Sequence, residues 1–180
     1  MTSFAARCVA SAAASPYAVV SAGLAALGGA KHAGRGARIE ALFREVADPE
    51  RAHDVLAGRL RRGEEIPGFG HPLFPEGDPR GMLLLELTRA ALPQRSAVLL
   101  ATEVARAAQD LLGEQPDVEF GLVTLAGALG LPAGGANAIF ALGRTIGWIG
   151  HAMEEYLADR IIRPRARYVG EQPRTATQSK

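Results

Sequence analysis

The sequence is short of several things, and each shortage narrows what the chain can be. It holds one cysteine, Cys8, in 180 residues. No disulfide can form within it, and we read the chain as belonging to a reducing, cytoplasmic compartment. It has no surplus of either charge: 20 Lys and Arg stand against 19 Asp and Glu, a net charge of +1. Such a balance gives no field to gather nucleic acid or an anionic membrane, so any anion must be recognised by individual arginines. No stretch alternates Val, Ile or Thr, and no strand is expected. Residues 120–143 carry no charge, but Pro132 and the Gly134-Gly135 pair interrupt them. Two packed helices are expected there in place of a membrane span. The alanine-rich start, residues 1–29, sets Arg7 in an amphipathic pattern with no continuous apolar segment behind it. It reads as helix and not as an export signal.

What is present is helical. Hydrophobic residues make up 48% of the chain, enough at this length to bury a core of single-domain size. Helical patterns recur with breakers between them, so the expected fold class is all-α. The first helix covers Phe4 to Ala13, and Pro16 opens a second that runs to Gly28-Gly29. Ile39, Leu42, Phe43 and Val46 form an i, i+3, i+4, i+7 stripe over residues 37–46. Asp48-Pro49 starts a helix through Leu60, and Asp78-Pro79 another to about Leu92. Further helices are expected over 94–112, 118–129 and 135–157. Between them, residues 62–77 hold Pro67, Gly68, Gly70, Pro72, Pro75 and Gly77, too many breakers for a regular element. With Phe69 and Phe74 in it, this segment is expected to be an ordered loop serving a site. The tail from Arg163 onward is expected to fray.

The histidines divide into two kinds. His53 and His151 fall inside helices and lack metal-ligand spacing to another His or Cys, so they read as packed or solvated residues. His32 and His71 lie in glycine-rich sequence expected to be irregular, where backbone can approach a ligand closely. The glycines at 28–36 follow a helix and match neither GxGxxG nor GxxxxGK[ST], which excludes a nucleotide-phosphate loop. Arg144 is the only charge between Phe120 and Glu154, which suggests a buried arginine in need of an anion. Glu119 falls in the first turn of a helix, where the macrodipole favours its ionised form.

Five segments, taken in order, resemble the citrate synthase family. Pro67-Gly68-Phe69-Gly70-His71, followed by Asp78-Pro79-Arg80, looks like that family's signature. Leu27-Gly28-Gly29-Ala30-Lys31-His32 resembles the segment of its first catalytic histidine. Pro116-Asp117-Val118-Glu119-Phe120, with Ala128 to Pro132, resembles the segment of its catalytic carboxylate. Phe140 to His151 resembles its C-terminal helix, and Ile162-Arg163-Pro164-Arg165 its tail.

The resemblance implies a citrate synthase-like helical fold truncated at its N-terminus. Residues 1–30 would be remnant helices of a large domain, 31–132 a small substrate- and CoA-binding domain, and 133–180 a helix and tail returning to the large domain. It implies condensation of acetyl-CoA, or another short acyl-CoA, with oxaloacetate to give citrate and CoA. Acetyl-CoA would be a cosubstrate, with no permanently bound cofactor and no metal. Removing a proton from a thioester methyl group needs a carboxylate base and a donor to the carbonyl oxygen together. The implied base is Glu119, the implied donor His32, and His71 would polarise the ketone of the acceptor. Arg80, Arg144 and Arg163 would bind substrate carboxylates, a task suited to the guanidinium fork. Gly68, Phe69 and Gly70 would face CoA. Arg163 would reach the site of a neighbouring subunit, which implies a homodimer.

The chain departs from the family pattern at particular places. Glu119 stands where aspartate is usual, and a shift of about 1 Å in a base can cost about a hundredfold in rate. Ala33 replaces a glycine, and Pro75 stands where many members place a basic residue toward CoA phosphate. Met1 to Arg7 match the interior of a helix in full-length members. The first, second and last helices are therefore expected to show apolar faces, and the chain to self-associate or to need a second polypeptide supplying the large domain. Two other functions fit the same residues: cleavage of citryl-CoA, and a non-catalytic, partner-dependent role.

Overall fold

The computed structural model describes residues 1–170 apart from Pro72, and at 30–34 the backbone alone. The fold is all-α. The helices are α1 (Thr2–Ser11), α2 (Pro16–Leu27), α3 (Ala30–Val46), α4 (Ala52–Arg61), α5 (Pro79–Ala91), α6 (Ser96–Leu112), α7 (Val118–Ala128) and α8 (Gly135–Ala158). The described residues contain no strand, only an isolated bridge between Phe69 and Pro116.

Local chemistry sets most of the boundaries. The Ser15 hydroxyl, Asp48, Asp78 and Asp117 each accept a backbone N–H at the start of the turn that follows, and at the first three a proline takes the first helical position. Gly113 ends α6 in the left-handed region at φ 71°, and Gly134 turns into α8 at φ 84°. The uncharged stretch accordingly divides between α7 and α8. Among the described residues no helix is long and apolar enough to cross a membrane.

Two expectations need correction. Helix α3 starts at Ala30, not near residue 37, so the glycine-rich segment around His32 is helical and not irregular. Tertiary packing overrides the low propensity of these glycines: a Cβ on Gly36 would lie 3.1 Å from the Asn137 side-chain oxygen, so α3 and α8 meet closely there. The segment after Asp48 first makes a 3-10 turn over Pro49–Arg51, and α4 begins only at Ala52.

Two hydrophobic clusters organise the chain. The larger one joins Ile39, Leu42 and Val46 of α3, Leu56 of α4, Leu85 of α5, Val104 of α6 and Phe120 and Val123 of α7. Helix α7 is apolar nearly all round because α3, α5, α6 and α8 all pack against it. The smaller cluster joins Ala6 and Ala10 of α1, Val19 and Leu27 of α2, and Trp148 and Ala152 of α8. Phe140 packs against both. Arg7 bonds Glu154 and the buried Glu155 and so pins α1 to α8. On their outer faces these three helices expose Phe4, Tyr17, Leu24, Leu142, Ile146 and Met153, the apolar faces that were expected.

The described residues between α4 and α5 form no helix or strand. The Asp117 N–H donates to the Gly68 carbonyl at 2.8 Å, and the Gly70 N–H to the Gln115 carbonyl at 3.3 Å. The segment after α8 carries no regular structure up to residue 170, and the rest of the expected frayed tail lies outside the described residues.

Candidate active site

The start of α7 is the centre of the site. Asp117 caps the helix, its Oδ1 accepting the Phe120 N–H at 2.9 Å. Its Oδ2 accepts from the Arg35 guanidinium of α3 at 2.6 Å, and the residue is 0% exposed. With both oxygens engaged, Asp117 leaves Glu119 as the carboxylate available for chemistry. Glu119 is half-buried in a crevice formed with Leu27, Gly36, Leu122, Asn137 and Phe140. The crevice has about 10 Å³ of room, about one water molecule. Burial, and then the neighbouring Asp117 charge, hold the Glu119 carboxyl above the usual carboxylate range, while Arg35, its own backbone N–H and His71 pull the other way.

The loop and the start of α5 bring a second group of residues to the same place. The His71 Nδ1 accepts the Leu73 N–H at 3.1 Å. In the neutral ring the proton therefore sits on Nε2, which makes that nitrogen a donor. The His71 ring lies 5.1 Å from the Phe74 ring, and the Arg80 guanidinium carbon sits 5.0 Å from the Phe74 centroid on the ring face. Arg80 donates through Nε and Nη2 to both oxygens of Asp78, at 2.9 and 2.8 Å. That leaves Nη1 of a half-exposed side chain to meet another anion. Asp78, 1% exposed, also accepts the Val118 N–H at 3.2 Å and so ties the starts of α5 and α7 together. The bond to Arg80 holds its carboxyl below the usual range. Arg80 in turn feels the Glu119 and Asp117 charges.

The named residues are thus gathered unevenly. Glu119, His71 and Arg80 share one neighbourhood. His32 is carried by α3, but its side chain lies outside the described residues. Gly68 is buried at φ 94°, and the Phe69 ring packs 4.9 Å from Phe120 in the core. Phe69 is therefore a core residue first, although it also borders, with Gly70, Arg35 and Arg38, an open cavity of about 520 Å³. Gly70 and His71 line a second cavity of about 320 Å³. Arg144 is half-buried, not buried as expected, and donates to the Ser3 hydroxyl, with no carboxylate paired to it among the described residues. Arg163 is exposed beyond the far end of α8, a helix of 24 residues and so about 36 Å long. Within one chain it does not join the others. Arg35 and Asp117 were not singled out from sequence. Their pairing spans two distant helices, and the only local hint was the cap position of Asp117.

Comparison with known proteins gives this geometry a context. Residues 1–165 match the family model described as citrate synthase, C-terminal domain. The chain belongs to the citrate synthase family. It is similar to the citrate synthase of Haloferax volcanii, 32% identical over 160 residues, 86% of this chain and 42% of that protein. Its fold is similar to Thermoplasma acidophilum citrate synthase, solved in ternary complex with carboxymethyl coenzyme A and oxaloacetate. There the TM-score is 0.78 at 27% identity, over 97% of this chain and 49% of the other. It is equally similar to citryl-CoA lyase from Hydrogenobacter thermophilus, TM-score 0.78 at 26% identity, over 98% of this chain and 72% of that one. The chain spans about half the length of the curated citrate synthases it matches.

Proposed function

We propose that this chain carries the catalytic carboxylate and a substrate-facing part of a citrate synthase-type acyltransferase, condensing acetyl-CoA or a short acyl-CoA with oxaloacetate to citrate and CoA. The observation that carries this reading is the placement of Glu119. A carboxylate held half-buried above its usual range is a stronger base than a solvated one, and His71 nearby offers an Nε2–H.

In this mechanism Glu119 takes a proton from the thioester methyl group while His32 donates to the thioester oxygen and stabilises the enol. The methyl carbon attacks the ketone carbon of oxaloacetate, and His71 delivers a proton to the ketone oxygen as the carbon–carbon bond forms. Water then cleaves the CoA thioester. Arg80, through its unused Nη1, binds one substrate carboxylate, with Arg144 and Arg163 for the others. Arg163 would act in a neighbouring subunit, in keeping with its distance from Glu119 along α8. The cavities at Gly70 suit the approach of CoA. Residues 31–132 then form the small domain, flanked by helices that belong to a large one.

The exposed apolar faces of α1, α2 and α8 support a working form that is a homodimer or a complex with a second polypeptide. We place this protein in the cytoplasm. A second reading, citryl-CoA cleavage, draws support from the lyase, of which this chain covers 72%. Thiol release from acetyl-CoA, with and without oxaloacetate, tests the proposal in the folded chain and its Glu119→Ala and His71→Ala variants. Oxaloacetate-dependent release lost in both variants supports synthase chemistry. Conversion of citryl-CoA to acetyl-CoA and oxaloacetate with no free thiol favours the lyase, and neither reaction from folded protein refutes an independent enzyme.

A further inference from the structure

We propose that Arg35 is a positioning residue for Glu119, acting through the buried Asp117 at the start of α7. This rests on the reading of Glu119 as the base. A cap at this position needs no charge, since a neutral Asn would accept the Phe120 N–H equally well. A carboxylate with 0% exposure is costly unless it is paired. Arg35 supplies that pairing at 2.6 Å, from the same helix as His32 and next to Gly36, where α3 meets α8. The ion pair therefore joins the element that carries the proposed enol-stabilising donor to the element that carries the proposed base. It also places one positive and one negative charge beside Glu119. The other groups that act on Glu119 are its own backbone N–H and His71 of the loop, and Arg80 of α5 feels its charge. The Asn137 of α8 that lines the crevice is uncharged. Removing Arg35 leaves Asp117 uncompensated, which makes ionising Glu119 harder. Removing the Asp117 charge leaves Arg35 uncompensated, which makes it easier.

The test is a side-chain ¹³C-carboxyl NMR titration of Glu119 in the whole chain, for wild type, Arg35→Met, Asp117→Asn, the double variant and Arg35→Lys. The expected result is a midpoint shifted up in R35M, down in D117N, back toward wild type in the double variant and largely restored in R35K. Asp117→Asn keeps a capping side chain and R35K keeps the charge, so both preserve the fold. A merely structural latch would move both single variants the same way or neither, and either result overturns the proposal. Where the chain turns over, R35M should also shift the acid limb of the kcat profile upward. Because the titration needs no turnover, a chain that turns over neither acetyl-CoA nor citryl-CoA but shows opposite shifts loses the reading as an independent enzyme and keeps the pairing.

Discussion

The surroundings of α7 and the layer of α1, α2 and α8 solve the same packing problem differently. Helix α7 is enclosed, with four helices around it, its cap held by Arg35 and its neighbour Asp78 bonded to three backbone or side-chain groups. The outer layer buries Trp148 among alanines, Val19 and Leu27, and leaves Leu142 73% and Ile146 77% exposed. The enclosed part holds Glu119 at a fixed place. The open part holds a face that another protein surface can cover. An enclosed site beside an exposed apolar surface is the contrast that the proposed dimer or two-chain form would resolve.

The largest break in this comparison should come at Gly81. A Cβ there would press into the Asp117 carbonyl, which is backbone and cannot step aside. Gly81→Ala should cost about 3 kcal/mol or more and lower Tm on the order of 10 °C in a thermal melt. Asp78→Ala comes next, at about 2–3 kcal/mol, because it removes a cap and strands the Val118 N–H. Its stabilisation has a pH sign. The folded carboxyl lies below its ordinary range, so its contribution is present above the unfolded value and fades as pH falls through the folded one. The wild type–variant gap in urea midpoint should therefore narrow in acid. Gly23→Ala probes the open layer, where a Cβ would lie 2.6 Å from the Trp148 indole. A side chain can yield, so about 1–2 kcal/mol is expected, less than at Gly81.

Glu119→Gln should act in the opposite direction. The Glu119 carboxyl is raised by burial, so folding favours its protonated form, and stability declines as pH rises from the unfolded toward the folded value. The glutamine variant escapes that decline and should be more stable than the wild type at neutral pH, which a thermal melt reads as a higher Tm. The smallest effect on folding belongs to Ile146→Glu, within about 0.5 kcal/mol at an exposed site. In sedimentation velocity, however, this variant should weaken association. A monodisperse wild-type monomer would remove the contrast between the two regions.

The sequence made much of the enclosed fold legible, because its boundaries are local chemistry. Ser15-Pro16, Asp48-Pro49 and Asp78-Pro79 each announce a turn of helix within two residues. Glu119, His71 and Arg80 were legible through motif order, and the structure places them together. The start of α3 was not legible, since its glycines argue locally against helix and only the contact of Gly36 with Asn137 explains them. The Arg35–Asp117 pair was hidden for a related reason: its partners lie 82 residues apart. Arg144 looked buried because its neighbours in sequence are apolar, yet many of those neighbours form the outward face of α8.

The most direct test of the central claim, that Glu119 removes the thioester methyl proton, is deuterium wash-in from D2O into the methyl group of acetyl-CoA in the presence of the folded chain. We predict protein-dependent incorporation that is lost in Glu119→Gln while that variant keeps or gains thermal stability. Incorporation that persists in the variant, or that never exceeds the protein-free rate with the wild-type chain, would contradict the account.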